Sequence, residues 1–119
     1  MSIKLAINYY LGKEDGKRWN CAQSLIKAFA EQFESGEDTV ELFGSYGKGK
    51  APGGLCGVFY AVKYLSEKNS GIKNFAEFEK KFMEEAGSLK CREIKAAQRF
   101  SCLDCIRKCA EFLQNAKQE

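Results

Sequence analysis

Ala51-Pro52-Gly53-Gly54-Leu55-Cys56-Gly57-Val58-Phe59-Tyr60-Ala61 holds the only proline of the chain and runs into an apolar segment that reaches Leu65. Proline fixes its own φ and suits a helix start. The paired glycines allow backbone angles closed to other residues. This predicts a helix opening at the proline, with Cys56 in its first turn. There free N–H groups and the helix dipole favour a thiolate. Gly57 leaves room for a neighbouring segment or a bound group to approach. The segment from Leu55 to Leu65 is apolar on nearly every face, the pattern of a central, fully packed helix. Read alone, Cys56 is one small core residue. The other cysteines change that reading.

The chain has 119 residues, enough for a core without staples, and reads as a single domain over 1–119. Its formal charge of +3 is too small, and too scattered, to argue for nucleic acid or an anionic membrane as partner. No apolar stretch approaches membrane-spanning length, and the start of the chain has no apolar run of signal-peptide type. The expectation is a soluble cytoplasmic protein. Six cysteines and no histidine then point to metal binding or thiol redox chemistry rather than to structural disulfides. The missing histidine excludes Ser-His and Cys-His catalysis, Rieske ligation and histidine-ligated haem. Any metal site would be built from thiolates, with or without a carboxylate.

Helical spacing recurs along the chain. Ile3, Ala6, Ile7, Tyr10 and Leu11 predict a short first helix. Trp19, Ala22, Ile26, Phe29 and Phe33 predict a second, which Gly36 ends, and Asn20-Cys21-Ala22-Gln23 has the form of a capping box at its start. Thr39 to Phe43 fits a short strand or a helical turn. A glycine-rich loop over 44–50 precedes the central helix. Asn74-Phe75-Ala76-Glu77 is a second capping box, before a helix that Gly87 ends. Cys91 lies near the start of a short segment. Ser101-Cys102-Leu103-Asp104 opens a last helix with Cys102, Cys105, Ile106, Cys109 and Leu113 on one stripe. The expected architecture is all-α, a compact bundle of about five helices joined by short loops.

Gly44 to Ala51 nearly fits the phosphate loop G-x-x-x-x-G-K-[ST]. Ala51 replaces the hydroxyl that would bind magnesium, and Pro52-Gly53-Gly54 interrupts the helix that would cradle the phosphates. The match is set aside.

Cys21 and Cys102 each follow an expected N-cap, and Cys56 follows a helix-opening Gly-Gly. Cys91 is a fourth candidate at a segment start. Thiolates, or a thiolate-bound cluster of net negative charge, are stabilised at such positions. Cys105 and Cys109 lie deeper on the apolar stripe of the last helix. Cys109 reads as core. Cys105 stays open, because Cys102-x-x-Cys105 is also a redox and metal spacing.

These residues resemble a family of redox-active proteins named for its cysteine pattern, with C-G-A-x-x-G at its centre. Asn20-Cys21-Ala22-Gln23 looks like its first cysteine segment, and Cys56-Gly57-Val58-Phe59-Tyr60-Ala61 stands where the central motif belongs. Cys91-Arg92-Glu93-Ile94 looks like the third segment, and Cys102 with its helix the fourth. Val58 replaces the family's alanine and Ala61 its second glycine, which adds volume at close-packing positions. The resemblance implies a redox centre of Cys21, Cys56, Cys91 and Cys102. Gly57 would lie against any bound group, and Cys105 is a further candidate ligand.

The expected function is redox or electron transfer. An iron–sulfur cluster on four thiolates is its most concrete form. A dithiol/disulfide pair without metal is the other. The alternative is a structural zinc site in a protein-interaction domain, although four such dispersed cysteines are unlike the paired C-x-x-C of most zinc modules. The implied partner is a redox protein. Whether the chain forms a homodimer, or turns over a substrate, is left open by the sequence.

Overall fold

A computed structural model describes residues 2–30, 32–33, 37–45, 51–68, 72 and 74–116. They form seven α-helices: α1 (Ser2–Leu11), α2 (Cys21–Ala28), α3 (Glu37–Leu42), α4 (Gly57–Lys68), α5 (Phe75–Ala86), α6 (Cys91–Ala97) and α7 (Cys102–Ala116). Short 3-10 turns lie at Phe43–Ser45 and Pro52–Gly54. The all-α expectation holds. The number of helices exceeds the expected five because α3 and α6, of six and seven residues, are too short to give a clear period. Thr39 to Leu42 is therefore helical, which removes the strand a phosphate loop would need. Residues 46–50 of the glycine-rich loop, and Gly36, lie outside the described residues.

Helix α2 packs against α1, α4 and α7, and α7 also packs against α1 and α4. The core is drawn from their facing stripes: Leu25, Ile26 and Phe29; Val58, Phe59, Val62 and Leu65; Ile106, Cys109 and Leu113. Val58, Phe59, Ala61, Val62 and Leu65 of α4 are all buried, as its apolar sequence requires. Helix α5 is held through rings, with Phe59 and Phe82 at 5.4 Å and Phe78 stacked on Phe112 at 4.4 Å. No helix among the described residues is long and apolar enough to cross a membrane.

The caps decide where helices begin. In α2 the Asn20 side chain accepts from the Gln23 N–H at 2.7 Å, and the Gln23 side chain accepts from the Asn20 N–H at 3.3 Å. The two amides also reach the next segment, Asn20 donating to the Phe43 carbonyl and Gln23 to that of Val40. This capping box is the expected one. Helix α2 itself stops at Ala28, before Phe33, where Phe29 leaves helical geometry at φ −110° and ψ 15°. Ser101 caps α7 as expected, exchanging hydrogen bonds with Asp104. The expected box at Asn74 does not form. Asn74 sits at φ 66°, in the left-handed region, and its side chain caps nothing. A capping side chain needs an extended residue to fold back from.

The central helix also differs from its expected start. Pro52 opens a 3-10 turn, and Gly53 and Gly54 both take left-handed angles, φ 74° and 73°. That reversal ends before Leu55, so α4 begins at Gly57 and not at the proline. Cys56 stands one residue outside the helix. Its carbonyl accepts the first helical bond, from the Tyr60 N–H.

Candidate thiol site

Three helices begin on a cysteine, Cys21 in α2, Cys91 in α6 and Cys102 in α7, and Cys56 is the N-cap residue of a fourth, α4. The starts of four helices thus lie around one region. Backbone pairing aligns two of them. Leu55 forms an antiparallel bridge with Lys90, and the Cys56 N–H donates to the Leu89 carbonyl at 2.8 Å. This sets Cys56 beside the start of α6. Buried Ser88 fixes that start from below, accepting from the Lys90 N–H and donating to the Glu93 carboxylate.

A single pocket of about 20 Å³ is lined by Cys21, Cys56, Cys91, Cys102 and Cys105, together with Gly57, Ile94, Lys95 and Phe100. The four expected site cysteines, Cys21, Cys56, Cys91 and Cys102, all line this pocket, and so does Gly57. Cys105 joins them. Cys109 does not line the pocket and is fully buried in the core, in line with its expected role. A larger surface groove between α5 and α7, about 330 Å³, has no thiol in its lining and is not this site.

Cys56 is the electrostatic centre. The Cys105 thiol donates a hydrogen bond to its sulfur, and the N–H groups of Phe59 and Val58 donate to it as well. Together with the nearby Lys95 ammonium, these outweigh burial and bring its pKa from 9.0 down to about 7. Cys56 acts as an N-cap whose acceptor is sulfur.

The other thiols go the opposite way. Burial raises Cys21 to about 12, and the negative charge of Cys56 and Cys102 adds to it. The helix-start argument fails for Cys21 because it is the first residue inside α2, where the Asn20 side chain already takes the cap. Burial likewise raises Cys91, against the pull of Lys95. Cys105 is raised mainly because its thiol proton is held by Cys56. Cys109 is raised by burial.

Sequence reasoning missed two neighbours of this cluster. The Tyr10 hydroxyl of α1 hydrogen-bonds to Cys102, and burial together with that contact raises its pKa. Tyr10 closes the apolar stripe of α1, which was the available signal. Lys95 lies four residues after Cys91, on the same side of a helix. Cys105 was legible only as the second cysteine of C-x-x-C.

The thiols suit a metal or an iron–sulfur cluster in donor type. Among the described residues, however, no three cysteine or carboxylate groups stand together at the spacing that would hold a metal ion. A cavity of about 20 Å³ admits roughly one water. A cluster would require the helix starts to move apart.

Fold and pocket define a helical protein organised around a group of free thiols. Residues 19–116 match the family described as "Putative redox-active protein (C_GCAxxG_C_C)", and the chain belongs to that family. No curated protein and no solved structure matches it.

Proposed function

We propose that the chain carries out thiol–disulfide redox chemistry at this pocket, with Cys56 as its most reactive sulfur. The observation that supports the reading is the triple hydrogen bonding of Cys56 Sγ, by the Cys105 thiol and two backbone N–H groups. Such a sulfur is held as thiolate near neutral pH, the form that attacks a disulfide. A partly exposed pocket thiolate attacks a disulfide in solution, forming a mixed disulfide and releasing one thiolate. A second pocket thiol then displaces the other half. Two thiols are oxidised and one external disulfide is reduced to two thiols. The absence of histidine is no obstacle, since the proton acceptor is the cysteine pair itself.

The test is equilibration of the reduced protein in glutathione buffers of graded poise, with its remaining thiols counted by mass. Two thiols should disappear together in one transition while the fold is retained. Six thiols that stay reduced until denaturation would refute the reading.

Iron–sulfur binding is the second reading, favoured by five thiols on one pocket at four helix starts. Cys21, Cys56, Cys91 and Cys102 would be the ligands, with Cys105 as a fifth candidate, and the cluster would supply one-electron transfer. Anaerobic reconstitution with iron and sulfide should then give visible absorption that dithionite bleaches. Stoichiometric zinc without colour would favour a structural zinc site instead.

A further inference from the structure

The five pocket thiols are not equivalent. Cys56 and Cys105 are in direct hydrogen-bond contact, sulfur to sulfur, across the packing of α4 on α7. Both are nearly inaccessible, at 5% and 4% exposure. An external disulfide cannot reach either one without help. Cys102 is only partly buried and lies one turn before Cys105 on the same helix. It stands at the helix mouth, with Ser101 as cap and the Tyr10 hydroxyl against its sulfur. Cys105 thus has three sulfur neighbours: Cys102 toward solvent along α7, Cys56 just before α4, and Cys109 a turn deeper in the core, outside the pocket.

We propose that Cys56 and Cys105 are the two sulfurs that hold the disulfide in the oxidised protein. Cys102 is the sulfur that first exchanges with the oxidant, a disulfide from solution. This rests on the thiol–disulfide reading above and deepens it by assigning the sulfurs.

The sequence of bonds is as follows. Cys102 Sγ, as thiolate, attacks the external disulfide and releases one thiolate, leaving a mixed disulfide on Cys102. Cys105 Sγ attacks Cys102 Sγ, its proton passing to the second external thiolate as that leaves, so a Cys102–Cys105 disulfide forms and an external thiol is released. Cys56 Sγ, held as thiolate by the backbone N–H groups, then attacks Cys105 Sγ. The Cys56–Cys105 bond forms and Cys102 leaves as thiolate, restored to its first state. The oxidising equivalents end in the core, and a half-buried thiol remains at the mouth.

The probe is oxidised glutathione, in small excess over the reduced protein, with acid quenching and alkylation at intervals. Trypsin leaves Cys102 and Cys105 on one peptide, but cleavage before Asp104 separates them, so each bond can be assigned by mass without reduction. The wild-type chain should end with Cys56 linked to Cys105 and Cys102 alkylated. Cys56→Ser should stop at the Cys102–Cys105 disulfide. Cys105→Ala should stop with glutathione on Cys102. Cys102→Ser should reach the wild-type product at least about tenfold more slowly. Cys56 linked to Cys21, Cys91 or Cys102 at the end point, with Cys105 alkylated, overturns the assignment and leaves the redox reading standing. Oxidation of Cys102→Ser at the wild-type rate overturns the role of Cys102. No oxidation before unfolding overturns both the assignment and the redox reading. The wild-type map needs no variant to fold.

Discussion

Two regions meet at α4. On one side its N-terminus meets three other helix starts, and the space between them is filled with thiols. On the other side Phe59 meets Phe75, Phe78 and Phe82, and Phe82 meets Phe100 edge-on at 5.8 Å. Apolar burial holds the phenylalanine layer together, with no direction required of any one group. The thiol pocket depends on direction, on which N–H groups and which thiol face which sulfur. Phe100 touches both, lining the pocket from the aromatic side. The fold is thus anchored by one region and made reactive by the other. Mutations should separate stability from reactivity along that boundary.

The largest expected effect lies in the aromatic layer. Phe82 is 2% exposed, and Phe82→Ala should cost about 3–5 kcal/mol in urea unfolding. Where the variant remains folded, the pH dependence of Cys56 alkylation should be unchanged. A loss of thiol reactivity without loss of stability would break the proposed division.

Cysteine-to-serine changes sharpen it. Cys109 has no exposure and no place in the pocket, so Cys109→Ser should lose about 1–3 kcal/mol for a buried hydroxyl without a partner and keep the redox transition. Cys56→Ser should end at the Cys102–Cys105 disulfide in place of the Cys56–Cys105 bond and change stability at pH 7 by less than about 1 kcal/mol, because serine is itself a good N-cap. Chemical denaturation and a glutathione titration on both variants check this. Equal losses of stability would mean that the pocket and the core are one packing unit.

The thiolate also links stability to pH. The folded pKa of Cys56, about 7, lies below its ordinary 9.0. Its contribution is complete above pH 9 and is lost as pH falls through 7, amounting to about 3 kcal/mol. Cys21 has the opposite sign. Raised to about 12, it contributes fully below pH 9 and loses that contribution as pH rises toward 12. The difference in unfolding free energy between wild type and Cys56→Ser should therefore grow in favour of wild type from pH 6.5 to 9. A flat difference would remove Cys56 from the linkage.

The smallest effect should come from Ser101→Ala. The cap that positions Cys102 is lost, at about 1 kcal/mol, with slower exchange at Cys102 and no change in the pKa of Cys56.

The two regions were unequally legible in the sequence. The phenylalanine layer follows from spacing alone, since Phe75, Phe78 and Phe82 share one face of a helix. The pocket was read from Asn20 and Ser101, whose caps fix Cys21 and Cys102 at helix starts. Two features were hidden. Cys105 shares its stripe with Cys109, and only the tertiary packing, which leaves Cys105 on the pocket and Cys109 in the core, separates them. Cys21 and Cys56 have similar local sequence signals, yet one is N-cap and the other first inside its helix. That single step decides which sulfur receives the N–H groups. Asn74 shows the same limit, since its left-handed backbone is set by the chain around it and not by the N-x-x-E pattern.

Site-resolved alkylation of the native protein across pH 5 to 10, read by mass at each cysteine, tests the central claim most directly. Cys56 should label with a midpoint near pH 7, and Cys21 should stay unlabelled through pH 9. A Cys56 midpoint at or above its ordinary 9.0, or no labelling before unfolding, would contradict the account.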